Sequence, residues 1–377
     1  MNRTIQLLRD LVAIDSVNPS LVPGGAGEQE IGEAILSMLR GAGIDAELEP
    51  VAPGRPNVVG VLEGRQPGPA LVLCGHLDTV GVEGMVAPFD PVIRDNRMYG
   101  RGAEDMKGGL AAIVGAALTL AERGGLARGR VIVAGVADEE DASRGVEAFV
   151  QKWRGDFAVV AEPTALRVGI AHKGFAWIEV ATHGVAAHGS RPSEGRDAIF
   201  RMGRILTRLE ALDRALQARP GHRWLGTPSL HASTIAGGRE WSTYPDRCTL
   251  RVERRTLPGE GWDAPLMEVT RILEALVEED DDFSASAALT FGRPPHEIAE
   301  DADFVRRMRD AARGAGASGE VAGISFWADS AVLAQAGTPT VLFGPGGAGL
   351  HATEEYVSLD DVLVCENALI GLATSLL

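Results

Sequence analysis

The chain has few cysteines and no cluster of positive charge. Its three cysteines, Cys74, Cys248 and Cys365, are widely separated and odd in number, which is not the pattern of a disulfide framework or a structural zinc cluster. The 377 residues include 52 Asp and Glu against 36 Lys and Arg, so the net charge is -16. Because no basic tract could neutralise phosphates, we expect no nucleic acid partner, and the few cysteines favour a reducing cytoplasm.

A long apolar run is also missing from the sequence. Near the start, Ile5, Leu8, Leu11 and Val12 recur at helical spacing, but charged residues interrupt them. This pattern predicts an amphipathic helix and not the apolar region of a signal peptide. We therefore expect a protein that is neither exported nor bound to a membrane.

Short apolar runs alternate with helical patterns in the early part of the chain. Pro69–Asp78 is predicted to be a strand buried on both faces, and Leu110–Gly124 is predicted to be a helix packed inside the protein. Glu28–Ala42 carries its apolar residues on one helical face. This alternation predicts a layered α/β core.

The pattern changes near residue 175. Residues 247–257 alternate between apolar and polar side chains, which predicts a half-exposed sheet, and helix-like stretches accompany it. The acidic run Glu278–Asp282 is interpreted as a solvated loop. Because the chain is longer than one core usually holds, we predict two domains: a catalytic domain over residues 1–174 and 292–377, and an inserted α+β lid over residues 175–291.

Three predicted strands end in side chains that could bind a cation. In chain order these side chains are His76, Asp78, Glu139, Glu140 and Glu162. Ligands collect beyond the carboxyl ends of the strands in open α/β sheets, so we expect these side chains to share one crevice. His76 and Asp78 are two residues apart, so both could face one ion, or the carboxylate could hold the imidazole.

Each candidate also has an ordinary structural interpretation. Asp105 precedes a helix and could be its N-cap, and a histidine at a strand end is commonly satisfied by a hydrogen bond. Glu139 and Glu140 could form a loop that reaches water, and His351 follows a glycine-rich turn that lacks the GK[ST] of a phosphate loop. Together, two histidines and several carboxylates match the donors that zinc or a similar divalent ion prefers.

Six motifs occur in a fixed order along the whole chain: "GHLDTV", "GRGAEDMKGG", "ADEE", "AEPT", "HGVAAHGSRP" and "GPGGAGLHATEE". In these motifs the sequence resembles the M20 metallopeptidase/aminoacylase family, which includes acetylornithine deacetylases, succinyl-diaminopimelate desuccinylases and glutamate carboxypeptidases. The resemblance implies an α/β fold with a mixed-sheet, zinc-exopeptidase-like catalytic domain. An α+β, ferredoxin-like lid and dimerisation domain would be inserted into it.

The resemblance also implies a centre of two divalent metal ions, with zinc as the first expectation and cobalt or manganese as alternatives. The implied ligands are His76, Asp105, Glu140, Glu162 and His351. Asp105 would bridge both ions, His76 and Glu162 would complete one site, and Glu140 and His351 would complete the other.

Two carboxylates beside the implied ligands receive catalytic roles from the same resemblance. Glu139 would be the general base for a water that the ions activate. Asp78 would hydrogen-bond to the His76 ring and raise its basicity.

Two residues of the predicted lid receive roles from the resemblance. His188 would stabilise the oxyanion, often across a dimer interface, which implies a homodimer through the lid. Its alternative is an ordinary turn residue. Arg255 would bind a substrate carboxylate, and its alternative is a salt bridge on the exposed face of a strand.

The sequence departs from the family pattern at several positions. Ser242 stands where many relatives have an asparagine, and Glu104 replaces a small residue and could tune the site or point to solvent. The tryptophans at 224, 241 and 327 could line a substrate pocket or serve only in packing.

The expected activity is hydrolysis of the amide bond of a small N-acyl amino acid, of the deacetylase or desuccinylase type. A carboxypeptidase or dipeptidase that acts on a short peptide is the alternative on the same scaffold. A binding protein that keeps the fold without turnover is the alternative of another class.

Overall fold

The computed structural model describes residues 2–377, which form nine α-helices and seventeen β-strands. The helices are α1 (Arg3–Val12), α2 (Gln29–Gly41), α3 (Gly108–Glu122), α4 (Arg144–Lys152), α5 (Ala198–Gln217), α6 (Ala264–Glu279), α7 (Asp303–Gly314), α8 (Ser330–Gln335) and α9 (Leu359–Leu376). The strands are β1 (Asp45–Ala52), β2 (Arg55–Glu63), β3 (Ala70–His76), β4 (Val92–Arg94), β5 (Arg97–Tyr99), β6 (Arg130–Val136), β7 (Phe157–Val160), β8 (Val168–His172), β9 (Gly174–His183), β10 (Ser229–Gly237), β11 (Arg247–Thr256), β12 (Ala285–Arg293), β13 (His296–Glu297), β14 (Val321–Ile324), β15 (Thr340–Leu342), β16 (Gly347–Ala348) and β17 (Tyr356–Ser358).

These elements divide into two compact units. The first unit comprises the chain up to Ile170 together with Ile298–Ala322 and Ala328–Leu377, and the second comprises Ala171–Glu297 and Gly323–Trp327. The predicted domain boundaries, after residues 174 and 291, fall near these limits. The short segment Gly323–Trp327 carries no local pattern that would assign it to the second unit.

A mixed sheet forms the centre of the first unit, in the strand order β1-β2-β6-β3-β7-β15-β8. The four middle strands, β6, β3, β7 and β15, are parallel, and their outer neighbours pair antiparallel. Every residue of β3 is buried, as expected for a parallel strand covered on both faces. The predicted mixed α/β fold is therefore confirmed.

Helix α3 is buried almost all round, as its sequence predicts. It packs against β3 and β6 of the sheet on one side and against α1 and α9 on the other. Its buried side chains include Ile113 and Val114, and each such aliphatic residue contributes about 1.5–3 kcal/mol when it leaves water. Gly109, near the start of α3, allows this packing, because a Cβ there would lie 2.0 Å from the carbonyl oxygen of Ala161.

The second unit is a four-stranded antiparallel sheet in the order β10-β11-β9-β12. Along β11 the predicted alternation is present: Cys248, Leu250 and Val252 are buried, whereas Arg251 is exposed. The buried face packs against α5 and α6. Within residues 2–377, no helix has the length and apolar character that crossing a membrane requires.

The acidic run Glu278–Asp282 is largely exposed to solvent, as predicted, but its first two residues belong to a helix and not to a loop. Helix α6 continues to Glu279, and three residues of the run form ion pairs with arginines. The pairs are Glu279–Arg208, Asp280–Arg204 and Asp282–Arg196, at 2.6, 2.8 and 3.2 Å. The arginines are distant in the sequence, so a local pattern could not reveal them.

Candidate metal centre

Candidate side chains follow the carboxyl ends of three neighbouring parallel strands. β3 ends at His76, Glu139 and Glu140 lie just after β6, and Glu162 lies two residues after β7. Because these strands are parallel and adjacent, their ends meet at one edge of the sheet. The sheet therefore brings residues from three distant parts of the chain to one place.

Donor atoms of five residues form two groups at this edge. In the first group, atoms of His76, Asp105 and Glu162 all lie within 4.8 Å of one another. In the second group, atoms of Asp105, Glu140 and His351 do so. Asp105 belongs to both groups, so two cations held here would share its carboxylate.

The donors in these groups fit divalent metal ions. Atom Oε1 of Glu140 and atom Oε1 of Glu162 are buried and have no hydrogen-bond partner among residues 2–377. Burying an unpaired carboxylate oxygen is costly unless a cation compensates it. A mixed set of imidazole nitrogens and carboxylate oxygens suits zinc or a similar divalent ion.

The carboxyl groups of the cluster are strongly perturbed by burial. Burial raises the pKa of Glu139 and the pKa of Glu162 well above the usual range; His76 opposes the effect, and neighbouring carboxylates, Glu140 among them for both, add to it. The pKa of Glu140 is also raised by burial and by the charge of Asp105. Without cations, these groups therefore tend to hold protons.

The pKa values of the two histidines are also raised, because carboxylates lie beside both rings. Burial alone would lower the pKa of His76, but the contact with Asp105 and the charge of Glu162 raise it well above the usual value. Hydrogen bonds with Asp105 and Glu140 raise the pKa of His351 to about 10. The neighbouring carboxylates therefore favour the protonated form of both histidines.

Asp105 lies in a short helical turn, Ala103–Lys107, that precedes α3. Its carboxylate does not cap α3, as the alternative interpretation would require; its Oδ1 lies 3.0 Å from Nε2 of His76 and its Oδ2 lies 3.4 Å from Nε2 of His351. Gly102, which begins the turn, has a φ of 78°, a conformation that side chains disfavour. The glycine-rich motif thus directs Asp105 toward both histidines.

A buried ion pair that the sequence did not single out holds the Asp105 turn. Glu355 accepts backbone hydrogen bonds from Gly102, Glu104 and Asp105 at 3.0, 2.8 and 3.1 Å. Arg101 donates to the same carboxylate at 2.6 Å and to the carbonyl oxygen of Ala352 at 2.9 Å. In the sequence, this pair is indicated only by the presence of Arg101 in the motif "GRGAEDMKGG" and of Glu355 in the motif "GPGGAGLHATEE".

Glu104 is buried and does not point to solvent. Its side chain lies next to Glu355 and Asp105, and burial together with these two charges raises its pKa to about 7. Of the two alternatives for this residue, exposure to water is therefore wrong.

Asp78 contacts His76 differently from the prediction. The backbone carbonyl oxygen of Asp78, and not its carboxylate, lies 2.9 Å from Nδ1 of the ring, while the nearest carboxylate oxygen is 3.7 Å away. The carboxylate instead accepts the backbone N–H groups of Glu139 and Glu140, each at 3.1 Å. Asp78 therefore supports the two glutamates as well as the histidine.

His188 and Arg255 lie in the second unit. His188 is exposed, and its Nδ1 lies 2.8 Å from the hydroxyl of Ser190. The backbone N–H of Gly189 donates to the carbonyl oxygen of Ser242 at 2.7 Å, so the histidine segment and the Ser242 segment are paired. Arg255 forms an ion pair with Glu253 at 2.6 Å.

The tryptophans of the second unit have different surroundings. Trp327 is buried and donates to the carbonyl oxygen of Pro294 at 3.0 Å, and Trp224 packs against a small apolar core with Leu225 and Leu257. Trp241 is fully exposed. Two of the three therefore serve in packing within this unit.

Comparison with known proteins gives consistent matches. The family model described as Peptidase family M20/M25/M40 matches residues 72–375. An acetylornithine deacetylase from Myxococcus xanthus is 31% identical over 345 residues, which cover 88% of each chain, and a succinyl-diaminopimelate desuccinylase from Gluconacetobacter diazotrophicus is 30% identical and covers 95% of this chain and 93% of its own. A solved tripeptidase from Staphylococcus aureus, at 19% identity, superposes with a TM-score of 0.81 and covers 99% of this chain and 98% of its own.

Proposed function

Because this chain belongs to peptidase family M20/M25/M40, whose members are metal-dependent hydrolases of C–N amide bonds, we propose that it removes the acyl group from a small N-acyl amino acid. The observation that carries this proposal is the pair of donor groups sharing Asp105, and one relative at 31% identity is named a deacetylase and another at 30% a desuccinylase. The solved peptidases are below 20% identity and support the fold alone.

In this proposal, His76 and Glu162 would hold one divalent ion, Glu140 and His351 would hold a second, and Asp105 would contribute to both sites. Bound there, the ions would lower the pKa of a water molecule and polarise the scissile carbonyl. Zinc is our first candidate, because the donors are nitrogen and oxygen atoms in two compact groups.

Glu139 is the proposed general base. It stands beside both donor groups without belonging to either, and its buried carboxyl group has a raised pKa, which suits a residue that takes up a proton. It accepts the proton of the attacking water and returns it to the leaving amine. Asp78 holds the backbone of Glu139 while this proton moves.

Two residues of the second unit complete the proposed reaction, and this unit is the proposed lid. His188 donates a hydrogen bond to the oxyanion, an interaction worth about 2.7–4 kcal/mol at a transition state. Arg255 binds the carboxylate of the amino acid in exchange for its present pairing with Glu253. We expect His188→Ala to lower kcat with metal content retained.

We also propose that two copies of the chain pair through β10. This strand lies at the edge of the second sheet, pairs only with β11, and is exposed from His231 to Gly237. Apolar side chains are exposed on this strand and on α5, which contacts it: Ile235 on β10, and Ile199 and Phe200 on α5. An exposed strand edge with apolar neighbours favours association with an identical edge.

We place the reaction in the cytoplasm. The three cysteines are buried as free thiols, a state that a reducing compartment maintains.

A substrate panel tests the proposed activity. The protein is loaded with zinc, cobalt or manganese and assayed with N-acetyl amino acids, N-succinyl amino acids, dipeptides and tripeptides. We expect hydrolysis of an N-acyl amino acid with the highest kcat/KM. Faster cleavage of peptides would favour the peptidase, and binding without hydrolysis of any amide would favour a binding protein.

A further inference from the structure

Asn18 lies between two carboxylates near the candidate metal centre. The residue is fully buried, and its Nδ2 donates to Asp78 at 2.7 Å and to Asp138 at 3.1 Å. Its side-chain oxygen accepts the backbone N–H of Ser20 at 2.8 Å. Both ends of the amide are therefore used, and its nitrogen joins the two carboxylates.

The two carboxylates that Asn18 joins control the position of Glu139 and Glu140. Asp78 accepts the backbone N–H groups of both glutamates, and Asp138 is the residue immediately before them. Asp138 has a φ of 69°, a left-handed conformation that aspartate adopts more readily than most residues with a side chain. Its contacts with Asn18, Arg55 and Glu28 hold the chain at this corner, from which the two glutamates continue.

Asp138 and its neighbours form a buried polar network. Nη1 of Arg55 lies 2.8 Å from Oδ1 of Asp138, and Arg55 also pairs with Glu28. Glu28 in turn accepts the backbone N–H of Asp138 at 3.1 Å. The positive charge of Arg55 compensates the carboxylates of Asp138 and Glu28. The carboxylate of Asp78 instead accepts hydrogen bonds from uncharged groups, which are two backbone N–H groups and the side-chain amide of Asn18.

We propose that Asn18 is a positioning residue for the reaction, because it links Asp78 to Asp138 and so fixes the direction in which Glu139 and Glu140 leave β6. The proposal rests on the roles given above to these glutamates. An asparagine suits the place because its NH₂ group supplies two hydrogens without adding charge. An aspartate of the same size would either add a third negative charge beside two others or, when protonated, donate one hydrogen in place of two.

The decisive variant is Asn18→Asp, compared with the wild-type chain and with Leu39→Ala. Leu39 is fully buried in α2, so its truncation lowers the melting temperature without changing the polar network. For Asn18→Asp we expect kcat to fall about 10–100-fold, KM to change little, and cobalt affinity to fall about 10–100-fold, since partners that orient ligands have effects of this size. Leu39→Ala should keep kcat and cobalt affinity.

Cobalt titration followed by the visible absorption of the bound ion gives a readout that does not need turnover. It tests Asn18 even if the wild-type chain hydrolysed none of the substrates, so failure of the proposed activity is distinguishable from failure of this inference. If Asn18→Asp does not fold, Asn18→Ser, which keeps one donor, takes its place with a smaller expected loss. A folded variant at position 18 with wild-type kcat and cobalt affinity would overturn the proposal.

Discussion

Glu139 and Glu140 are consecutive, yet the geometry separates their tasks. Glu140 shares a donor group with Asp105 and His351, and Glu139 belongs to neither group. We therefore predict that Glu139→Gln lowers kcat at least about 100-fold, the scale of general base catalysis, while the metal content stays near that of the wild type. Glu140→Ala and His351→Ala should lower the metal content, measured by elemental analysis after dialysis.

The neighbouring acid Asp141 provides the control for these variants. It is partly exposed and takes part in neither donor group, so Asp141→Asn should retain both activity and metal. Equal loss of metal in Glu139→Gln and Glu140→Ala would contradict the division of roles.

Metal binding should release protons, because the free cluster holds them. The pKa of His351 is raised to about 10 by Asp105 and Glu140, and burial raises the pKa of Glu162 well above its usual range. Both groups must lose their protons to bind a cation, so the apparent affinity for zinc should rise with pH between about pH 6 and pH 8, roughly tenfold per unit for each proton released. Titration calorimetry in buffers of different ionisation enthalpy measures this release, and an affinity independent of both pH and buffer would contradict it.

The side chains that bear chemistry were easier to predict than those that hold them in place. His76, Asp105, Glu140, Glu162 and His351 stand out because each carries a donor in a motif, and the structure brings all five together. Asn18 and Glu355 were missed, since an amide and a second glutamate have no local pattern, and their partners lie 60 or more residues away. The prediction that the carboxylate of Asp78 contacts the His76 ring was wrong, because the backbone carbonyl oxygen of Asp78 makes this contact. The carboxylate instead accepts backbone N–H groups from a loop that is distant in the sequence.

At the level of loops, Arg101 and Glu355 join the Asp105 turn to the loop that carries His351. The side chains of both residues are almost completely buried. Removing one partner of a buried ion pair leaves an uncompensated charge, so we predict that Glu355→Gln lowers the free energy of unfolding by about 3–5 kcal/mol. The same change should weaken zinc binding about 10–100-fold, because the turn that presents Asp105 loses an acceptor.

The adjacent glutamate gives a matched control for this prediction. Glu354 is exposed, so Glu354→Gln should change neither urea unfolding nor zinc affinity measurably. If Glu355→Gln behaved like Glu354→Gln, the ion pair would have no role in holding the two loops.

The helices and strands could be predicted from the sequence more readily than the loops between them. β3 and α3 have continuous apolar composition, and β11 alternates, so burial alone indicates their type. The sequence pattern did not predict the turn Ala103–Lys107 or the end of α6, because hydrogen bonds and ion pairs with distant residues stabilise them. Local patterns report burial, whereas these loops depend on specific partners.

For the chain as a whole, pairing through β10 determines which copy supplies His188 to the proposed site. If two chains pair through β10 and exchange this histidine, two inactive variants can complement each other. One variant is Glu139→Gln and the other is His188→Ala, produced together so that mixed dimers form. In a mixed dimer, one of the two sites then has both an intact Glu139 and an intact His188. When pairing is random, half of the dimers are mixed, so about a quarter of all sites should be active.

Complementation separates exchange from action within one chain. If His188 serves the site of its own chain, each site of a mixed dimer lacks one of the two residues, and the mixture stays inactive. Adding Ile235→Lys to both variants places like charges along the β10 edge, which should give monomers by light scattering and abolish the recovered activity. Recovery that persisted in monomers would contradict pairing through β10, because monomers have no partner from which to receive the histidine.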